Sequence, residues 1–171
     1  MLRREAGSSY NRGVTLAATD RRTCRIEIAI QDGPVAVAMP QWPADCGAEA
    51  YFVGRTRQAS HPRFGPLVRL EYEMYDPMAR KVLDRLAGQA VDRFGCRAIR
   101  LVHARGVVGL GEASVVIQVA APHRAEALDG CRYLIDRLKE ELPVWKCEVW
   151  KHGRTHVDGC TVNSEGSGDQ A

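Results

Sequence analysis

Two lysines bracket a proline near the end of the chain, in the run Leu138-Lys139-Glu140-Glu141-Leu142-Pro143-Val144-Trp145-Lys146. Apolar residues at helical spacing upstream predict that Lys139 lies in the last turn of a helix. Pro143 stops that helix, so Lys146 follows on a strand. Two ammonium groups around one helix end admit two readings. In the first, Lys139 complements the negative end of the helix and Lys146 simply faces water. In the second, apolar walls such as Val144 and Trp145 strip hydration from a lysine and suit it for proton transfer or for stabilising an anion. The pattern leaves both open.

A second basic pair, His123-Arg124, stands at the start of the same helix, where unbonded backbone amides attract negative charge. The plain alternative is that these side chains meet Glu126 or water. Arg124 and Lys139 are fifteen residues apart, roughly 22 Å along a helix, which no small substrate bridges. If both clusters serve one pocket, two chains must contribute to it, and a homodimer follows from that condition. Other groupings are weaker. His152 and His156 are four apart, but Gly153 between them argues against a helix presenting both to a metal, and no metal site is expected. Gly106 to Gly111 lacks the strand-turn-helix context and the Lys-Ser/Thr end of a phosphate loop. Cys147, next to Lys146, is a candidate thiolate set against the commoner fate of a buried, inert cysteine.

The elements that must position these residues read as alternating strands and helices. Arg25, Glu27 and Ala29 alternate with Ile26, Ile28 and Ile30, the period of a half-buried strand. After a connection marked by Pro34, Pro40 and Pro43, further strands are expected over Ala48 to Val53 and Leu67 to Tyr75, joined by a polar, flexible link from Arg57 to Pro66. Asp76-Pro77 predicts a helix start with Asp76 as the cap. That helix runs to Phe94 on Val82, Leu83, Leu86, Ala90 and Phe94, and Gly95 ends it. Strands at Ala98 to His103 and Ser114 to Ala121 flank a turn at Gly106, Gly109 and Gly111. The second helix spans Pro122 to Leu142 and buries Ala127, Leu128, Cys131, Leu134, Ile135 and Leu138, and a strand follows over Val144 to Trp150. Links too short for crossover helices favour an α+β fold over a doubly wound sheet.

At 171 residues with 45% hydrophobic and 26% charged positions, the chain has the composition of an ordinary globular protein with one core. A net charge of +3 is too weak to imply nucleic acid but suits an anionic substrate or partner. No apolar stretch approaches a membrane span, and Gly7 to Asn11 lacks the apolar run of a secretory signal. The six cysteines show no paired spacing and read as reduced thiols of a cytoplasmic protein. We expect a flexible extension over residues 1–22, one domain over 23–158 and a flexible tail over 159–171.

Read together, several segments resemble the molybdopterin synthase large (catalytic) subunit family. They are Gly47-Ala48 through Phe52-Val53-Gly54-Arg55-Thr56-Arg57, Leu70-Glu71-Tyr72-Glu73-Met74-Tyr75-Asp76-Pro77-Met78-Ala79, His103, Gly111-Glu112, Ala121-Pro122-His123-Arg124, and Ile135 to Lys139 with Pro143 to Lys146. The resemblance covers about Gly47 to Trp150. It implies a hammerhead-type α+β fold with a mixed or antiparallel sheet and two main helices. It also implies a homodimer with a small ubiquitin-like sulfur-carrier subunit at each end. The implied reaction moves sulfur from the carrier's C-terminal thiocarboxylate to cyclic pyranopterin monophosphate, giving the molybdopterin dithiolene with no cofactor.

By the same resemblance Lys139 and Lys146 are the catalytic lysines, Arg57, His103, His123 and Arg124 bind substrate, and Phe52 is the pocket aromatic. Three departures stand out. The family's His-Arg-x-Gly is here His103-Ala104-Arg105-Gly106, which in a strand sends the arginine to the opposite face. Gln58 replaces a common asparagine and is followed by an unusual Ser60-His61-Pro62, and the basic residue expected near the end of the fold has no match beyond Arg154. Two other functions stay in view. One is a non-catalytic module that binds a ubiquitin-like tail, and the other is a sulfurtransferase built on Cys147.

Overall fold

The computed structural model describes residues 24–157, so the extension and the tail expected at either end lie outside the described residues. The chain order is β1 (Arg25–Asp32), β2 (Ala48–Arg55), β3 (Ser60–His61), β4 (Gly65–Met74), α1 (Asp76–Phe94), β5 (Ala98–Gly109), β6 (Ala113–Ala121), α2 (Arg124–Glu141), β7 (Val144–Trp150) and β8 (Gly153–Val157). The strands form one sheet in the order β2-β6-β5-β4-β7-β8, with β1 paired to β5 and β3 to β4. Among the described strands β1 and β5 run parallel and the other pairs are antiparallel. The mixed sheet and two helices are the α+β architecture the sequence predicts.

The twelve-residue β5 joins the two halves of this sheet. Its first eight residues lie against β1, and its last four against β4. Alternate residues of a strand face opposite sides, and the burial follows that rule. Ile99 and Leu101 join Ile117, Val119 and the inner faces of α1 and α2 in one core. Val102, Ala104 and Val116 face the other way and meet Val35, Leu70, Tyr72 and Trp150 in a second. The connection from β1 to β2 crosses this second face, tied down by Val35 N–H to the Ala113 carbonyl at 2.9 Å and by Gln118 Nε2 to the Ala38 carbonyl at 2.7 Å.

Several local expectations change. Tyr75, not Asp76, is the residue before α1, and no side chain caps it. Asp76 is drawn away by Arg105, whose Nη1 lies 2.8 Å from its Oδ2. Gly95 does end the helix, at φ 67°. Leu128, expected inside, is 60% exposed, because the buried stripe of α2 runs through Ala127, Cys131, Leu134, Ile135 and Leu138. Gly106 and Gly109 belong to β5, which is longer than its apolar run suggests. The link from Arg57 to Pro66 is ordered by β3 and by His61, whose ring stacks on Phe64 at 4.7 Å and packs on Trp150 at 5.4 Å. The strand β8 has no counterpart in the expected elements, since Arg154 and His156 in a short polar run carry no strand signal.

Candidate active site

The two lysines flank the junction of α2 and β7. Lys139 is exposed in the last turn of α2. Its acidic neighbours are already engaged: Arg137 binds Glu140 at 2.5 Å and also Glu141, and Arg85 of α1 reaches Glu141 at 2.5 Å. Lys139 therefore has no counter-ion among the described residues. A cation kept from nearby carboxylates remains available to an anion from outside. Leu142 continues as extended backbone, with its N–H on the Leu138 carbonyl at 3.0 Å, and delivers the chain to β7.

Lys146, third in β7, has a side chain 33% exposed, with Nζ 3.1 Å from Glu148 Oε1. It sits opposite Tyr72 of β4 and Val157 of β8. The Tyr72 ring in turn makes an edge contact with His103 at 5.5 Å, so the residue paired with Lys146 across the sheet also touches an imidazole far from it in sequence. His103 is 4% exposed, and its Nδ1 lies 2.8 Å from the Ala104 carbonyl. A carbonyl only accepts, so Nδ1 carries the proton and Nε2 is left as the acceptor. Burial lowers the imidazole's pKa below its ordinary value, partly offset by that hydrogen bond.

The shifted arginine has a physical account. Ala104 is fully buried in the second core, where a guanidinium would lie unpaired. Arg105, one position on, reaches the opposite face and binds Asp32 at 2.7 Å and Asp76 at 2.8 Å. It thereby ties β1, β5 and the start of α1 together.

The other basic residues divide between two ends. Pro122 and His123 turn the chain from β6 into α2, which returns across β6 and β2. His123 and Arg124, both exposed, thus stand at the end of the sheet where β2 begins, beside an open cleft of about 590 Å³ lined with Gly47, Ala48, Pro122 and Glu126. A Cβ on Gly47 would meet the Pro122 carbonyl oxygen at 2.6 Å, so only glycine allows this close approach. Glu126 forms no ion pair with either residue, and its Oε2 is buried without a hydrogen-bond partner. Arg57 is exposed just past the far end of β2. There Thr56 is held by its N–H on the Glu112 carbonyl at 2.9 Å and by its carbonyl on Gly111 N–H at 2.8 Å.

Phe52, between the two ends, packs on the helix-side core. Arg57, His123 and Arg124, like Lys139, make no ion pair among the described residues. The topology therefore gathers Arg57, His103, Lys139 and Lys146 toward one end of the sheet and leaves His123 and Arg124 at the other. Tyr72 and Glu148 also belong to this neighbourhood. Sequence reasoning passes over both, although Glu148 stands two residues from Lys146 and so on the same strand face.

Cys147 occupies the opposite face of β7 and is 8% exposed. Burial raises the thiol pKa values of Cys24, Cys96 and Cys131 to about 11, about 12 and about 11, so these thiols stay protonated near neutrality. The described residues contain no group of three His, Cys, Asp or Glu side chains placed to hold a metal. Among them, no helix is long and apolar enough to cross a membrane.

A family model described as MoaE protein matches residues 28–141. The molybdopterin synthase catalytic subunit of Bacillus subtilis (strain 168) is 37% identical over 113 residues, covering 66% of this chain and 71% of that protein. Molybdopterin synthase from Staphylococcus aureus superimposes with a TM-score of 0.67 at 29% identity, over 75% of this chain and 94% of that one. A chain from the protein–protein complex of subunits 1 and 2 of molybdopterin-converting factor from Helicobacter pylori 26695 shares the fold, with a TM-score of 0.60 at 19% identity over 75% of this chain and 88% of that one.

Proposed function

We propose how the work is divided in a chain that belongs to the MoaE protein family and is a molybdopterin synthase catalytic subunit, an enzyme that transfers sulfur to a pterin precursor. The sulfur arrives as the C-terminal thiocarboxylate of a small ubiquitin-like carrier subunit, and the acceptor is cyclic pyranopterin monophosphate. The setting is the cytoplasm. Lys139 receives the thiocarboxylate and handles the acyl intermediate. Lys146 acts as acid or electrostatic partner where charge grows on the leaving oxygen as the cyclic phosphate opens. Arg57 and His103 bind the substrate from the end of the sheet that carries the lysines, with Nε2 of His103 left as an acceptor, and Phe52 is the pocket aromatic.

The observation that carries this reading is the unspent charge of Lys139 amid carboxylates already bound by Arg85 and Arg137. A lysine serving only to soften the helix end would be expected to share them. His123 and Arg124 supply the substrate's phosphate with cations from the second protomer, since within one chain α2 holds them roughly 22 Å away. The active unit is accordingly a homodimer with a carrier at each site.

The test is dithiolene formation by purified protein with thiocarboxylated carrier and the pyranopterin. Lys139→Ala and Lys146→Ala should each lose at least about a hundredfold in rate, the scale of removing a charge-stabilising or proton-transfer group. A Lys139→Ala protein turning over at the normal rate would refute the assignment.

A further inference from the structure

We propose that Glu148, with Thr155 and Trp150 behind it, is a positioning device for Lys146. This rests on the reading of Lys146 given above. Three contacts form one line across the β7–β8 hairpin. Lys146 Nζ lies 3.1 Å from Glu148 Oε1. The other carboxylate oxygen accepts from Thr155 Oγ1 at 3.2 Å. Thr155 Oγ1 accepts in turn from Trp150 Nε1 at 2.8 Å, and the indole is nearly buried.

The direction of the line follows from its last member. An indole N–H only donates, so the Thr155 oxygen must accept from it, and the hydroxyl proton is left to point at Glu148. Thr155 is also the register partner of Glu148 across the hairpin, so the two backbones hold that contact in place. Lys146 and Glu148 are two apart on β7 and share a face. A free lysine has many rotamers open to it along its four-carbon stem. A carboxylate fixed at its far oxygen narrows the ammonium's choice of position.

The segment backing Trp150 is the loop from Ser60 to Phe64. His61 packs on the Trp150 ring at 5.4 Å and stacks on Phe64 at 4.7 Å. A Cβ on Gly153 would run into the Phe64 ring at 2.4 Å. The start of β8 is thus pressed onto the loop that supports the indole. In this chain the loop from Ser60 to Phe64 acts at a distance, by fixing the indole on which the line ends.

The experiment is a cycle of variants in the assembled complex with thiocarboxylated carrier. Thr155→Val keeps the shape and removes the hydroxyl. It should slow dithiolene formation about fivefold to tenfold at saturating pyranopterin, the scale of one ordinary hydrogen bond, with KM unchanged, and Thr155→Ser should restore the rate. In a Lys146→Ala background Thr155→Val should cost nothing further. Full rate in Thr155→Val, or an equal loss in both backgrounds, overturns the proposal. If Thr155→Val does not fold, Glu148→Gln goes through the same cycle: a loss confined to the Lys146 background supports the proposal, and full rate or an equal loss in both overturns it. A Lys146→Ala protein of normal rate would instead overturn the role of Lys146 itself, which keeps the two failures apart.

Discussion

Burial holds the His103 imidazole neutral in the folded protein, with its pKa below the ordinary 6.5. Unfolding frees it to take up a proton at the ordinary value. The stability that depends on the neutral ring is therefore complete above 6.5 and is lost as pH falls below it toward the lower folded value. A urea midpoint should drop between about pH 7.5 and about pH 5.5, and His103→Gln should flatten that slope while keeping a donor for the Ala104 carbonyl. An unchanged slope in the variant would remove His103 as its source. Asp32, lowered by its hydrogen bond and attraction to Arg105, acts in the same direction only below its ordinary 3.8, so it adds nothing to the drop between about pH 7.5 and about pH 5.5. At this scale the sequence is legible where a local signal fixes placement, as with Lys139 in the last turn of α2 and Lys146 on β7, either side of Pro143. It is not legible where partners come from distant strands. Nothing local says that Asp76 forgoes capping to meet Arg105, or that Tyr72 reaches His103.

The two helices can be read in advance because their stripes repeat at 3.6 residues, whereas β8 cannot, because a short edge strand has no apolar face to repeat. Close approach between elements is a further thing that sequence hides. Gly130 of α2 lies where a Cβ would come 2.7 Å from Cys96 Sγ and 3.5 Å from Val119 Cγ1, so α2 rests on the turn before β5 and on β6 with no room for a methyl. Gly130→Ala should cost about 1–3 kcal/mol by overpacking, although alanine is the better helix former. Cys96→Ala in the same protein should recover most of that loss by removing the sulfur. Chemical denaturation of the two single variants and the double variant measures the coupling. Additive losses would place the strain somewhere other than this contact.

For the molecule as a whole, the position of the basic residues at both ends of α2 makes a claim about assembly. If each site takes Lys139 from one protomer and Arg124 from its mate, two defective proteins can repair each other. Lys139→Ala homodimers should be inactive, and a protein carrying His123→Ala with Arg124→Ala should bind substrate poorly. Random exchange between them puts half the dimers into a mixed form with one intact site, so activity should recover to roughly a quarter of wild type. No recovery after verified subunit exchange would confine each site to a single chain. Helix length alone allows this deduction from sequence, but not which end of the sheet Arg57 joins, because that depends on how β2 pairs with β6. One further property belongs to β5, which lies along β1 for eight residues and along β4 for four more. The two cores share one uninterrupted length of backbone, so the protein has no seam: neither half can be excised, exchanged or hinged without cutting the strand that both depend on.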